Sequence, residues 1–173
     1  PPRSTLFPYT TLFRSITFYG PGLKPHKTSE FAGSLKEFVS ISVTGNNCAL
    51  NCEHCNTKML DNMLDLPSFD GSLFDMAKNL QKNGAKGVLI SGGSNIRNQV
   101  PLLHHIEDMK RIRKELGMVI RIHPGLPDEE TCEALAEVDI DGVMLDIIGD
   151  QETIKDVYHL DAKIGRASCR ERV

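Results

Sequence analysis

A parallel α/β fold built from consecutive strand–helix units is what this sequence predicts, on three observations. From residue 37 onward, β-branched strand segments alternate with amphipathic helical segments. The strands read as continuous apolar runs, such as Val88-Leu89-Ile90, which suit a sheet covered by helices. About four such units fit between residues 37 and 163, which is half of an eightfold barrel. The expectation is therefore a partial (β/α) barrel, truncated at its C-terminus.

Residues 38–44 alternate, with Val39, Ile41 and Val43 on one side, and predict the first strand. Phe69, Leu73, Met76, Ala77 and Leu80 follow at helical spacing, with Ser68 or Asp70 as the cap and Gly84 as the stop. Residues 87–91 predict a second strand that closes on Gly92-Gly93. Leu102, Ile106, Met109, Ile112 and Leu116 mark a second helix, ended by Gly117. Residues 118–122 form a third strand, and 128–137 a third helix with Pro127 before it and acids in its first turn. Residues 142–147 predict a fourth strand and 150–158 the start of a fourth helix. Ligands of such folds sit at the carboxyl ends of strands, so the chemistry is expected in loops 45–65, 91–98, 123–126 and 148–150.

The flanks differ in character. Residues 1–15 contain the near-duplicate Thr5-Leu6-Phe7 and Thr11-Leu12-Phe13, and residues 164–173 are basic without an apolar face. Both resemble translated synthetic adapter sequence, with natural tails as the other reading. Either way they are set apart from the domain. Residues 16–36 read as an N-terminal extension with one short strand at 16–19, and 37–163 as the core domain. The net charge of -3 argues against a nucleic-acid partner gripped through a broad basic face. No apolar run is long enough to span a membrane, and no secretory signal is visible. Five cysteines, three of them within eight residues, look like a metal cluster rather than a disulfide framework and fit a reducing cytoplasm.

Those three cysteines, Cys48, Cys52 and Cys55, form a C-x3-C-x2-C loop directly after the first strand. Thiolates are the usual ligands of iron–sulfur clusters, and a four-iron cluster normally takes four. Three ligands leave one iron open to an exogenous group, as a catalytic cluster requires. The alternative is a non-catalytic structural zinc site in which His54 joins the cysteines. Against it, zinc modules usually pair two short ligand clusters, and no second pair follows.

The cysteine spacing, its place after the first strand and the later Gly-Gly loop resemble the radical S-adenosylmethionine (SAM) superfamily. The resemblance covers roughly residues 38–150. It implies a [4Fe-4S] cluster on Cys48, Cys52 and Cys55 whose open iron chelates SAM, and reductive cleavage of SAM to a radical that attacks a substrate. It places His54 against the SAM adenine, where the family usually has an aromatic residue. Gly92-Gly93-Ser94 corresponds to the family's GGE motif, whose backbone binds the SAM amino group; here the acid is replaced by Ser94. His123 is placed among polar SAM or substrate contacts, the competing reading being a turn residue before Pro124-Gly125. Asp146 is placed on a SAM ribose hydroxyl, or else caps a loop. An electron donor such as a ferredoxin or flavodoxin is implied. The stretches 48–63 and 142–160 resemble radical SAM proteins linked to lipoate assembly, which points to sulfur insertion. Asn56, Lys58 and Asn62 follow the cysteines and either reach substrate or are solvated. The charged run Lys110-Arg111-Arg113-Lys114 reads as a solvated helix face, and Cys132 as structural.

Overall fold

The computed structural model describes residues 36–163. The expected adapter-like ends and the extension at 16–36, apart from Lys36, lie outside the described residues. Five strands form one fully parallel sheet: β1 (Phe38–Ser42), β2 (Leu64–Asp65), β3 (Gly87–Ser91), β4 (Val119–Ile122) and β5 (Gly142–Val143). Their spatial order is β2-β1-β3-β4-β5. The architecture is thus the expected α/β arrangement, a partial (β/α) barrel. β2 is an addition to the predicted strands, and lies on the far side of β1 from β3.

The register explains which face does what. Val39 pairs with Val88 and Val88 with Ile120; Ile41 pairs with Ile90 and Ile90 with Ile122. Because side chains alternate along a strand, these apolar rows share one face. Ile41, Val88, Ile90, Ile120 and Ile122 are fully buried there, against Leu73, Ala77, Leu102, Met109 and Ile112 from the helices. The opposite face carries Ser40, Ser42, Leu89, Ser91 and Arg121. The strands are therefore two-sided rather than uniformly apolar, and the polar side faces the interior that a barrel encloses.

The helices begin and end on local signals. α1 (Leu73–Lys82) starts at Ser72, whose hydroxyl accepts from the Asp75 N–H while Asp75 accepts from the Ser72 N–H, a capping box. The cap is thus Ser72 rather than Ser68 or Asp70, and Phe69 packs on the core from outside the helix. Gly84 (φ +97°) and Gly117 (φ +60°) stop the first and second helical segments, since the left-handed backbone there favours glycine. The second segment changes pitch along its length: a 3-10 turn at Leu102–His105, α2 at Ile106–Arg111, then a π turn at Ile112–Leu116. Its charged face is solvated, with Arg111 paired to Glu115 and Lys110 to Glu107 and Glu137. Such exposed pairs add little stability. No helix among the described residues is long and apolar enough to cross a membrane.

α3 (Glu129–Ala136) is capped by Asp128, whose carboxylate accepts from the Thr131 hydroxyl at 2.6 Å and the Thr131 N–H at 3.0 Å. Those two bonds hold the Asp128 carboxyl below its ordinary pKa. Its contribution is present above the unfolded value of about 3.9 and is lost as pH falls through the lower folded value. Asp128→Ala should therefore cost about 1 kcal/mol at neutral pH, with the difference from wild type shrinking in acid. Denaturant midpoints at several pH values read both effects.

Candidate functional site

All strands being parallel, their carboxyl ends share one edge, and the predicted loops leave from it. β1 continues through Val43, whose N–H donates to the Ser91 carbonyl at 2.8 Å. The buried Ser42 hydroxyl then donates to the Gly45 carbonyl at 2.6 Å and turns the chain into the cysteine loop. That loop winds tightly, with the Asn56 N–H on the Cys52 carbonyl at 2.8 Å and the Lys58 N–H on the Cys55 carbonyl at 2.9 Å. Asn51, Asn56 and Thr57 adopt left-handed backbone (φ +45°, +46° and +60°). Asparagine accepts this readily; the β-branched Thr57 does so only under strain.

The glycine loop after β3 is the seat for the cysteine loop. The Gly93 N–H donates to the Thr44 hydroxyl at 2.6 Å, and the Ala49 N–H to the Ser94 carbonyl at 2.8 Å. A Cβ at Gly93 would fall on the Asn47 carbonyl and 2.7 Å from the Cys48 Cα. Only glycine permits this approach. The Ser94 hydroxyl lies 3.8 Å from the Cys48 sulfur.

After the next two strands, His123 and Asp146 face each other, with Nε2 3.6 Å from the carboxylate. The His123 ring beside it, with the Tyr158 hydroxyl as the smallest contribution, holds Asp146 below the usual carboxylate range. Burial first, and the neighbouring Asp146 charge second, push the Tyr158 phenol up. The Tyr158 ring also stands 4.7 Å from the His54 ring, centroid to centroid.

A second, smaller apolar cluster lies beneath the loop. Leu50 and Cys52 pack with Ile154 and Leu160, flanked by Cys48, Cys55 and Tyr158. The chain after the turn at Thr153–Val157 thus braces the cysteine loop from below, and the Glu53 N–H donates to the Val157 carbonyl at 2.9 Å.

These elements enclose a cavity of about 430 Å³. Its lining includes all nine of the residues predicted from sequence: Cys48, Cys52, His54, Cys55, Gly92, Gly93, Ser94, His123 and Asp146. Asn56, Lys58 and Asn62 are exposed and do not line it. Tyr158, Leu60, Leu89 and the methionines Met59, Met63 and Met144 are also part of the wall and were not assigned to the site from the sequence. No spacing pattern links Tyr158 to a motif a hundred residues earlier.

The donor set fits a multi-iron cluster. Burial, then the nearby Cys55 and Cys48, push the Cys52 thiol up to about 11. Burial also opposes ionisation of Cys48, yet backbone N–H groups of Asn51, Ser94 and Leu50 and the Ser94 hydroxyl outweigh it and lower that thiol. Ionising these thiols in one loop calls for a positive partner, which bound metal would supply. Among the described residues, no three His, Cys, Asp or Glu side chains converge tightly enough to share a single ion. Thiolates of this kind are the usual ligands of iron–sulfur clusters, one per iron.

Comparison with known proteins agrees. None of the curated proteins matches the chain. Residues 42–173, well over half of the chain, match the family model of the radical SAM superfamily. Members of that superfamily generally use a [4Fe-4S] cluster and SAM for radical chemistry. A parallel α/β sheet, a cysteine loop after β1 and a family match that runs from the end of β1 through that loop and the later strands make this chain a member of the radical SAM superfamily.

Proposed function

We propose that the chain holds a [4Fe-4S] cluster through Cys48, Cys52 and Cys55 and uses it to cleave SAM reductively, starting radical chemistry on a substrate. One observation carries this reading: a single cavity at the carboxyl edge of the sheet gathers the three thiols with the glycine loop, His54, His123 and Asp146. When bound, the cluster supplies the electron that splits SAM.

The chain's own residues do the rest. Gly92-Gly93 brings backbone carbonyls to the cavity, the acceptors an ammonium group needs. His54, packed by Tyr158, offers a ring face for adenine. Asp146, kept ionised by His123, accepts from a ribose hydroxyl. Leu60, Leu89 and Met63 line the cavity with apolar surface that limits water at the reacting centre. A ferredoxin- or flavodoxin-type donor in a reducing cytoplasm would deliver the electron. Within this chemistry we place lipoyl-type sulfur insertion as the reaction to test first, on the resemblance around 48–63 and 142–160. It requires a sacrificial second cluster, held elsewhere.

Anaerobic reconstitution with iron and sulfide, followed by electron paramagnetic resonance with and without SAM, tests the reading. The expected result is a brown protein whose reduced four-iron signal shifts when SAM is added. A colourless protein holding one zinc would overturn it.

A further inference from the structure

His159 sits where chain geometry favours glycine or asparagine. It follows the turn at Thr153–Val157 and its cap Tyr158, with φ +56°. The Leu160 N–H returns to the Ile154 carbonyl at 3.0 Å, and both side chains pack in the apolar cluster under the cysteine loop. This is the geometry of a helix stop, in which the left-handed residue is normally chosen for its backbone alone. A histidine there carries strain that its side chain must justify.

The side chain reaches the cysteine loop at two points. Nδ1 lies 2.9 Å from the Leu50 carbonyl, so it must carry the hydrogen, because a carbonyl only accepts. Nε2 lies 3.3 Å from the Glu53 carboxylate. Leu50 and Glu53 bracket Cys52, whose sulfur is itself 3.7 Å from the Tyr158 carbonyl. One ring therefore spans the turn that carries the central cysteine. The Glu53 N–H on the Val157 carbonyl and the packing of Leu50 on Ile154 and Leu160 hold the same turn, and the ring links its two sides through one side chain.

We propose that His159 is a positioning residue: it fixes the Leu50–Glu53 turn so that Cys52 is held in the cavity before metal arrives. Its consequence for cluster assembly rests on the proposed function above; the placement of Cys52 does not.

The test uses the whole metal-free chain and a thiol alkylating reagent, with labelling at each cysteine read by mass spectrometry. Cys52 is 7% exposed and should label slowly in the wild type. In His159→Ala, Cys52 should label about tenfold faster, equivalent to about 1.4 kcal/mol of local opening, while Cys132 on α3 is unchanged and reports that the sheet and its helices remain folded. His159→Asn should label between wild type and His159→Ala, since its amide reproduces the Nδ1 donor to Leu50 and tolerates the left-handed backbone but does not reach Glu53. His159→Gly removes both ring and strain. It should label like His159→Ala; a Gly variant that protects Cys52 as well as wild type would make the role one of backbone alone and overturn the proposal. Unchanged Cys52 labelling in His159→Ala overturns it equally.

Iron uptake from ferrous salt and sulfide adds the second readout, with slower assembly expected in the Ala and Gly variants and partial rescue in Asn. A wild type that takes up no iron, while His159→Ala still unmasks Cys52, would sink the cluster reading and leave the brace standing.

Discussion

Single replacement of Cys48, Cys52 or Cys55 by Ala is expected to abolish the reduced four-iron signal and to drop SAM cleavage below about one hundredth of wild type. The scale follows from metal sites generally: changes to residues that only support a ligand cost about 10–100-fold, so loss of a ligand itself costs more. With two thiolates left, a second iron joins the open one in having no protein contact, and the cluster is no longer held as a unit. Stability should respond differently at the three positions. Cys48 and Cys55 are half-buried, and their truncation should cost under about 1 kcal/mol. Cys52 is buried among Leu50, Ile154 and Leu160, so its variant also opens a void and should unfold at lower denaturant. Cys132→Ala, on a helix remote from the loop, should stay brown and active. Iron content, paramagnetic resonance and 5′-deoxyadenosine release read the outcome together. A four-iron signal that survives in any one of the three variants would remove that cysteine from the ligand set.

The sequence was most informative where local chemistry and tertiary structure agree. β3 runs Gly87–Ser91 as read, because its β-branched core is flanked by a helix stop and a glycine pair. Gly84 and Gly117 end their helices as expected, since positive φ is a local requirement. β2 escaped notice for the opposite reason. Leu64 and Asp65 are both exposed, carry no pattern, and are a strand only through their register with Ile41 and Ser42. β5 is regular only over Gly142–Val143, although four more residues read as strand. Among the described residues it has a partner on one side alone, and beyond the Met144 N–H on the Ile122 carbonyl no further rung to β4 forms. The site divides along the same line. Its nine predicted residues sit in loops whose position follows from strand order, so their meeting in one cavity was legible. The contributions of Tyr158, His159 and Glu53 were not. They arise from packing of a late turn against an early loop, which leaves no trace in residue spacing.

Gly93→Ala is the second change expected to have a large effect, and it separates two uses of one glycine. A methyl group there would overlap the Asn47 carbonyl and press on the Cys48 Cα, and backbone cannot step aside as a flexible side chain can. The cysteine loop must lift from β3, which breaks the Gly93–Thr44 and Ala49–Ser94 hydrogen bonds. Overpacking of this kind costs about 1–3 kcal/mol, and each lost hydrogen bond adds about 1 kcal/mol. The helix-facing core lies on the other side of the sheet and should survive, so the variant is expected to fold with a lower denaturant midpoint and a displaced loop. Cluster loading should fall with it, because Cys48 is carried on the segment that moves. Gly92→Ala is the informative comparison. Its methyl would meet the Thr44 hydroxyl at 2.9 Å and the Thr44 backbone N and Val43 side chain at 3.3 Å, a milder clash in which the closest group is a side chain. It should therefore load a cluster while binding SAM more weakly, if the carbonyls of this turn receive the SAM amino group. Gly93→Ala protein that assembles a cluster as well as wild type would mean that the close approach is incidental to the cysteine loop. Loss of the cluster in Gly93→Ala alone, beside loss of SAM binding in both, would assign the first glycine to the ligand and the second to the seat of the metal loop as well.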